Sequence, residues 1–142
     1  MADYNIGIPK TLKNEGGYVN DPKDSGGETY KGIARKKNSS WDGWVIVDSM
    51  RSQPNFPKNL ITNKDLNAKI NLFYKKNYWD VIRCDEIKSQ EVAESLFDSG
   101  VNMGPVTAIH LIQRVLKYEE TGKMDDKTLT TINSLGSSFK LS

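Results

Sequence analysis

The feature that most constrains the fold is a glycine-rich stretch near the N-terminus, NEGGYVNDPKDSGGET, at residues 14–29. It contains two Gly-Gly pairs separated by an Asn-Asp-Pro sequence, and residues of these types interrupt helices and favour turns. Before it, the spacing of Tyr4, Ile8 and Leu12 predicts a helix from about Ile6 to Glu15, which the first glycine pair ends. The stretch therefore predicts a small irregular β-hairpin inserted after the first helix.

Beyond this insert the chain is patterned for helices. Apolar residues recur at three- and four-residue spacing, and capping residues stand before several of these series. The predicted helices run from Gly43 to about Arg51, from a Thr62-Asp65 capping pair through Leu66, Ile70, Phe73, Tyr74 and Tyr78, from Ser89 to Gly104, from Val106 to Tyr118, and from Asp125 or Asp126 to Ile132. The fold class expected from this pattern is mainly α.

Length and charge narrow the class of protein. A chain of 142 residues is expected to form one compact unit. Its formal net charge of +2 is too small for a nucleic-acid footprint, and the short cluster Arg35-Lys36-Lys37 is predicted to be a solvated face. The single cysteine, Cys84, excludes an intramolecular disulfide and disfavours a cysteine-based zinc site. The lone histidine, His110, lies in an apolar helical pattern and is expected to pack rather than to act as a ligand or base.

No segment has the features of a secretory signal or a membrane span. The N-terminal sequence MADYNIGIPK lacks a positive region followed by an apolar run, and no stretch reaches the roughly 18 apolar residues that a span requires. We therefore expect synthesis in the cytoplasm without a signal peptide and no stable membrane insertion. Activity outside the cytoplasm would require a separate export route or cell lysis.

Two acidic residues of the glycine-rich stretch differ in their predicted surroundings. Glu15 follows Leu12 by three residues and Ile8 by seven, which places it on the apolar face of the first helix, where desolvation favours the protonated carboxyl. Asp24 lies in a polar, glycine-flanked turn that favours the ionised form. Such a pair is typical of enzymes that break glycosidic bonds, in which one carboxyl protonates the leaving oxygen and the other activates water or stabilises the developing cation. Capping and turn formation are the alternative roles for these residues.

The same residues carry a family resemblance. EGGYVNDPKDSGGETYKGIA resembles the signature of the glycoside hydrolase family 108 muramidases, phage-type lysozyme-like enzymes whose bacterial members are often labelled secretion activators. WDGWVIVDSM, FYKKNYWDVIRCDEI, LFDSGVNMGPVTAIHLIQRVL and TGKMDDKTLTTIN resemble later blocks of the family. The resemblance implies a lysozyme-like α+β fold, with a catalytic region at residues 1–88 and a helical peptidoglycan-binding-type region at 89–142, packed into one compact unit.

The resemblance also implies roles for individual residues. Glu15 matches the family's catalytic glutamate, and Glu15, Asp24 and Thr29 are similar to the arrangement in phage lysozymes where the Asp and Thr place the attacking water. The chain departs from the expected pattern at Tyr30, where we expect Asn, and at Ala34, where we expect Thr. These departures concern the shape of the cleft rather than Glu15.

Further residues are predicted to bind substrate. Glycines allow the backbone to approach a bulky sugar, and aromatic rings stack on sugars, although a ring in a hairpin packs beneath it equally often. Asp98 and Asn102 share a helix face at four-residue spacing, where they either line the far side of a cleft or form a helix-end hydrogen bond. The predicted substrate-binding residues are Tyr18, Gly26, Gly27, Tyr30, Asp98 and Asn102. Asp21 and Glu28 are rival partners for Glu15 and rank below Asp24.

The function expected from this reasoning is a peptidoglycan hydrolase. It would be an N-acetylmuramidase that cleaves the β-1,4 bond between N-acetylmuramic acid and N-acetylglucosamine by general acid catalysis, with inversion as the expected outcome. The expected partner is cell-wall peptidoglycan, reached in the wall or the periplasm after export or lysis, and neither a metal nor an organic cofactor is expected. The alternative is a non-catalytic peptidoglycan-binding or secretion-regulating protein.

Overall fold

A computed structural model of the protein describes residues 1–12, 17–21, 23, 27–136 and 139. The described elements follow one another in the order helix, three short strands, then helices, which confirms a mainly α, lysozyme-like α+β fold with a small β insert after the first helix. The elements are α1 (Tyr4–Leu12), β1 (Tyr18–Asn20), β2 (Glu28–Tyr30), β3 (Ile33–Ala34), α2 (Gly43–Met50), α3 (Lys64–Tyr74), α4 (Gln90–Met103), α5 (Pro105–Val115) and α6 (Asp126–Leu135).

The chain divides into two compact units. The first consists of Met1–Thr11 and Tyr74–Ser142, and the second of Leu12–Phe73. The division at residue 88 into a catalytic and a peptidoglycan-binding-type region is a functional one, and it stays a prediction.

Helix α1 begins two residues earlier than the sequence pattern predicts. The Asp3 carboxylate accepts a 2.9 Å hydrogen bond from the Asn5 amide, which fixes the start of the helix at Tyr4. Pro9 consequently lies in the second turn rather than near the start, where it removes one backbone hydrogen bond. The predicted end of the helix near Glu15 lies outside the described residues.

The first unit has an aromatic core. Tyr4 and Phe97 each pack edge-on against Trp79, with ring centroids 5.2 and 5.4 Å apart. Gly7 permits this packing, because a β-carbon there would lie 3.2 Å from the Trp79 ring. Trp79 is fully buried, and its indole nitrogen donates a 2.8 Å hydrogen bond to Asp85.

Helices α4, α5 and α6 begin within one residue of their predicted signals, but α5 ends three residues before the predicted Tyr118 and α6 continues three residues beyond the predicted Ile132. Ser89 caps α4 by accepting a hydrogen bond from the Val92 amide, and Asp125 caps α6 by accepting one from Thr128. Gly104 separates α4 from α5 with a φ of 92°, a conformation that favours glycine.

Helix α3, in contrast, begins and ends differently from the prediction. Asn63 caps it by accepting a 2.9 Å hydrogen bond from the Leu66 amide, whereas the hydroxyl of Thr62 donates to Asn59 instead. The helix is α-helical to Tyr74 and then continues as a π-helical turn over Lys75–Trp79. Periodicity correctly predicts the buried face of α3, but it does not reveal this change in winding.

Candidate functional site

The three strands of the second unit form an antiparallel sheet in the order β1-β2-β3. Val19 lies opposite Thr29, and Thr29 lies opposite Ala34, so these three residues share one face of the sheet. We call this the outer face, because Val19 is 48% exposed and the other two are partly exposed. The predicted catalytic residue Thr29 therefore lies on the accessible side of the sheet.

The opposite side, which we call the inner face, carries Tyr18, Glu28, Tyr30 and Ile33. Tyr30 and Ile33 are each only 1% exposed. Tyr30 thus packs beneath the sheet, the second of the two placements expected for an aromatic residue here, and this conformation offers no ring surface for a sugar.

Gly27 connects the sheet to the predicted site. Its φ of 63° lies in the left-handed region, and its carbonyl accepts a long hydrogen bond of 3.4 Å from the Thr29 hydroxyl. The Lys36 side chain occupies the space that a side chain at Gly27 would need, since a β-carbon there would lie 3.1 Å from the Lys36 Cε. A larger residue at Gly27 would therefore disturb both the backbone and Lys36.

The central predicted residues Glu15, Asp24 and Gly26 lie outside the described residues. Their roles stay predictions, as does the role of Thr29. Asp21, a rival partner for Glu15, is exposed and accepts a hydrogen bond from the Lys23 amide, which is a turn contact.

The other rival, Glu28, belongs to a network that sequence reasoning missed. We define the ion-pair network as Glu28, Arg35, Asp48 and Arg51. Arg35 donates to Glu28 at 2.9 Å and forms a two-pronged contact with Asp48 at 2.8 and 2.7 Å. Arg51 donates to Glu28 at 2.6 Å and to Asp48 at 2.8 Å. The two arginines and the two acids thus form a charge-neutral cluster that connects the sheet to α2.

Tyr18 completes the surroundings of Glu28. Its hydroxyl donates to the Glu28 carboxylate and accepts a 2.9 Å hydrogen bond from Arg51, while its ring packs edge-on against Phe56. The Tyr18 hydroxyl is therefore held by contacts on the inner face. The predicted stacking of Tyr18 on a sugar would use the part of its ring that does not contact Phe56.

The network fixes the charge of both acids. Burial raises the pKa of the Glu28 carboxyl, but the hydrogen bonds donated to it, that of Tyr18 first, outweigh burial and hold the pKa below its usual value. Hydrogen bonds from Arg35 and Arg51 hold the pKa of Asp48 well below its usual range. An ionised carboxyl fits the partner role that Asp24 is predicted to have, but the Glu28 oxygens already accept from Tyr18, Arg35 and Arg51, so Glu28 is suited to a structural role.

Asp98 and Asn102 lie on α4 in the other unit. The Asn102 amide donates a 3.4 Å hydrogen bond to the Asp98 carboxylate, which is the helix-end contact that the four-residue spacing allowed. Their predicted contact with substrate stays a prediction.

Among the described residues, no group of three or more His, Cys, Asp or Glu side chains is placed to hold a metal ion. Within the ranges given above, no helix combines the length and apolar character needed to cross a membrane.

Comparison with known families decides the class of protein. The family model for glycosyl hydrolase 108 matches residues 8–104, from α1 to the end of α4. The chain belongs to the glycosyl hydrolase 108 family. Membership makes the glycine-rich stretch and the sheet part of a glycoside hydrolase domain, and at family level it supports a peptidoglycan hydrolase.

The solved structure of Brucella abortus SagA is similar to this glycosyl hydrolase 108 chain. The two share 26% sequence identity with a TM-score of 0.64, and the alignment covers 92% of this chain and 68% of SagA. The similarity therefore reaches beyond residue 104, where the family match ends, into α5 and α6. No curated protein matches the chain.

Proposed function

We propose that this protein is an N-acetylmuramidase that cleaves the β-1,4 bond between N-acetylmuramic acid and N-acetylglucosamine in peptidoglycan. The observation that carries the proposal is the family match over residues 8–104, which includes the whole glycine-rich stretch with its acidic residues. The position of Thr29 on the outer face of the sheet supports it, because a residue that orients water must be reachable by substrate.

In this proposal Glu15 is the general acid that protonates the glycosidic oxygen. Asp24 and Thr29 orient a water molecule on the opposite face of the sugar, and its attack inverts the anomeric carbon. Inversion requires the two carboxyl groups to lie about 6.5 to 9.5 Å apart, whereas about 5 to 5.5 Å would favour retention through a covalent intermediate. Proton NMR of the first product anomer distinguishes the two outcomes.

The test of the general acid compares Glu15→Gln with a matched variant. Glu119→Gln makes the same chemical change at an exposed position that follows α5 in the sequence and lies outside the predicted site. We expect the wild type and Glu119→Gln to clear purified peptidoglycan at equal rates, and Glu15→Gln to lose activity by at least about a hundredfold, the lower range for general acid–base catalysis. Circular dichroism checks that each variant is folded.

The label of secretion activator, which bacterial members of the family often carry, supports a second candidate. This is a non-catalytic wall-binding or secretion-regulating protein. Its distinguishing result is sedimentation of the wild type with insoluble peptidoglycan, without any loss of turbidity and without soluble fragments. Equal clearing by folded Glu15→Gln would instead keep the hydrolase and remove Glu15 from the acid role.

A further inference from the structure

The three tryptophans of the chain differ in their surroundings. Trp44 and Trp79 are 2% and 0% exposed. The indole nitrogen of Trp44 donates to the Asn38 carbonyl at 3.0 Å, and that of Trp79 donates to Asp85 at 2.8 Å. Trp41 is half-buried, and within the described part of the chain its indole nitrogen neither donates to a protein group nor is enclosed. Trp41 therefore presents its indole N–H to solvent.

The Trp41 ring is held in place at the start of α2. It packs edge-on against Trp44 and Phe73, with ring centroids 5.3 and 5.9 Å apart. A β-carbon at Gly43 would lie only 2.3 Å from the Trp41 ring, so the ring fills the space that a side chain there would need. A ring fixed in this way loses little conformational freedom when a ligand binds.

An ion pair lies beside this ring. Asp42, the next residue along the chain, accepts a 2.7 Å hydrogen bond from the Lys69 ammonium group, and its side chain is 66% exposed. Phe73, one helical turn after Lys69 on α3, contacts the Trp41 ring, so the ion pair and the ring are neighbours. An aromatic surface bordered by a few polar groups is typical of a ligand site.

Direct contacts connect the Trp41 ring to the sheet that carries Thr29. Trp41 packs on Trp44, and the Arg35 guanidinium lies 5.2 Å from the Trp44 ring. Arg35 in turn donates at 2.9 Å to Glu28, the residue before Thr29. All of these residues belong to the second compact unit. A polymer that binds at Thr29 therefore has the Trp41 ring within the same unit.

We propose that Trp41 is a substrate-binding residue that stacks on an N-acetylated sugar of the peptidoglycan glycan strand. The identity of the substrate rests on the proposed function. A pyranose ring with equatorial substituents has an apolar C–H face, which an indole ring covers. The indole N–H, which is a donor and not an acceptor, binds a hydroxyl or acetamido oxygen at the edge of the sugar.

The test measures binding of the full chain to glycan strands from which the peptide stems have been removed. Glu15→Gln is the common background, so that the strands stay intact, and calorimetry measures the affinity. Trp41→Leu keeps an apolar side chain but no flat ring, and it should weaken binding about tenfold. Trp41→Phe keeps a flat ring and should stay within about threefold of the parent chain.

Gly43→Ala is a second variant, in which Trp41 itself is kept. The added methyl group needs the space of the Trp41 ring, so the ring must move, and binding should weaken. Val45→Ala is the control, because it shortens a 72% exposed side chain on another face of α2 and should leave the affinity unchanged. Circular dichroism checks that each variant is folded. Unchanged affinity of Trp41→Leu, or equal losses for Trp41→Leu and Trp41→Phe, would overturn the proposal.

Tryptophan fluorescence gives a readout of the contact itself. Because Trp44 and Trp79 are buried, acrylamide quenching of the parent chain reports mainly on Trp41. Saturating glycan strands should protect the parent chain from quenching and should leave the quenching of Trp41→Phe unchanged. Full quenching of the strand-bound parent chain would contradict a stacked Trp41.

The outcome is separable from that of the proposed function. Release of soluble fragments by the wild type reports hydrolysis, whereas calorimetry and quenching report binding. A chain that binds glycan strands through Trp41 but releases no fragments would contradict the muramidase and support the stacking contact. Failure of the parent chain to bind stem-free strands, with normal clearing of intact wall by the wild type, would overturn the stacking contact and keep the muramidase.

Discussion

The aromatic core of one compact unit and the ion-pair network of the other depend on different physical forces. In the unit formed by Met1–Thr11 and Tyr74–Ser142, three aromatic rings and the apolar faces of α4 and α5 form a buried core. In Leu12–Phe73, the sheet is described by only eight strand residues, and charged side chains connect it to α2. Strands this short bury little apolar area of their own, and the ion-pair network adds positional constraints to those of buried side chains such as Tyr30, Ile33 and Trp44.

This difference predicts which contacts in the protein depend on pH and salt concentration. Apolar packing is nearly independent of pH and is strengthened rather than screened by many salts, whereas charge pairs depend on both. The contribution of the ion-pair network to stability should therefore respond to pH and salt, whereas the contribution of the aromatic core should not. Substitutions in each unit test this contrast, and the largest effect is expected in the aromatic core.

The aromatic core is expected to be the most costly to disturb. Phe97 is fully buried against Tyr4 and Trp79, and Phe97→Ala should lower the free energy of unfolding by about 3 to 5 kcal/mol. Urea denaturation measures the change. Leu72→Ala, at a position 66% exposed, is the control and should change stability by less than about 0.5 kcal/mol. A small effect at Phe97 would contradict a tightly packed core.

The second largest loss of stability is expected at the buried side-chain amide of Gln113, in the same unit. Gln113 is fully buried, and its side-chain nitrogen donates to the Lys123 carbonyl at 2.9 Å and to the Thr121 hydroxyl at 3.0 Å, while its oxygen accepts from the Gly122 amide. Gln113→Ala should cost about 2 to 3 kcal/mol, because it leaves these groups buried without their partner. Thermal unfolding at two salt concentrations should show the same loss at both.

The ion-pair network should respond differently. Glu28→Gln removes a carboxylate that is 11% exposed and should cost about 2 kcal/mol at neutral pH. The pKa of Glu28 is lower in the folded than in the unfolded state, so its contribution is present above the unfolded value near 4.3 and is lost as pH falls through the folded value.

Unfolding curves from pH 7 to pH 3 measure this dependence. The wild type should lose stability over the lower part of the range, and the curve of Glu28→Gln should be flatter, with the remaining slope due to Asp48 and other acids. Parallel wild-type and variant curves would show that Glu28 is not ionised preferentially in the folded state.

Asp48→Asn should have the smallest effect. Asp48 contacts the same arginines as Glu28, but its side chain is 45% exposed, and water partly replaces lost contacts at such positions. We expect a loss of about 1 kcal/mol or less that shrinks as salt rises. A cost above that of Glu28→Gln would reverse the assigned importance of the two acids.

Much of the fold could be predicted because its signals are local. The Ser89 and Asp125 caps and the Gly104-Pro105 boundary are each recognisable within a few residues, and the structure contains them as predicted. The start of α3 was mispredicted because Thr62 and Asn63 are both good capping residues, and only the three-dimensional chain decides between them.

The ion-pair network could not be predicted, because its partners are far apart in sequence. Arg51 reaches Glu28 from 23 positions away, and Arg35 reaches Asp48 from 13. The short basic cluster at residues 35–37 predicted a solvated face for Arg35, whereas the Arg35 guanidinium connects the sheet to α2.

The candidate site is supported from a different direction. The resemblance of the glycine-rich stretch correctly indicated the family, and strand alternation places Thr29 on the outer face. The pairing of Glu15 with Asp24 stays a prediction, because both lie outside the described residues. Chemistry at these two positions is accordingly the claim that an experiment must test.

The most direct test is the identity of the new reducing ends. Purified peptidoglycan is digested with wild type or Glu15→Gln, the soluble products are reduced with borohydride, and mass spectrometry identifies the reduced sugar. We predict reduced N-acetylmuramic acid ends from the wild type and none from the folded variant. Reduced N-acetylglucosamine ends from the wild type, or equal release of muramic acid ends by Glu15→Gln, would contradict a muramidase with Glu15 as its acid.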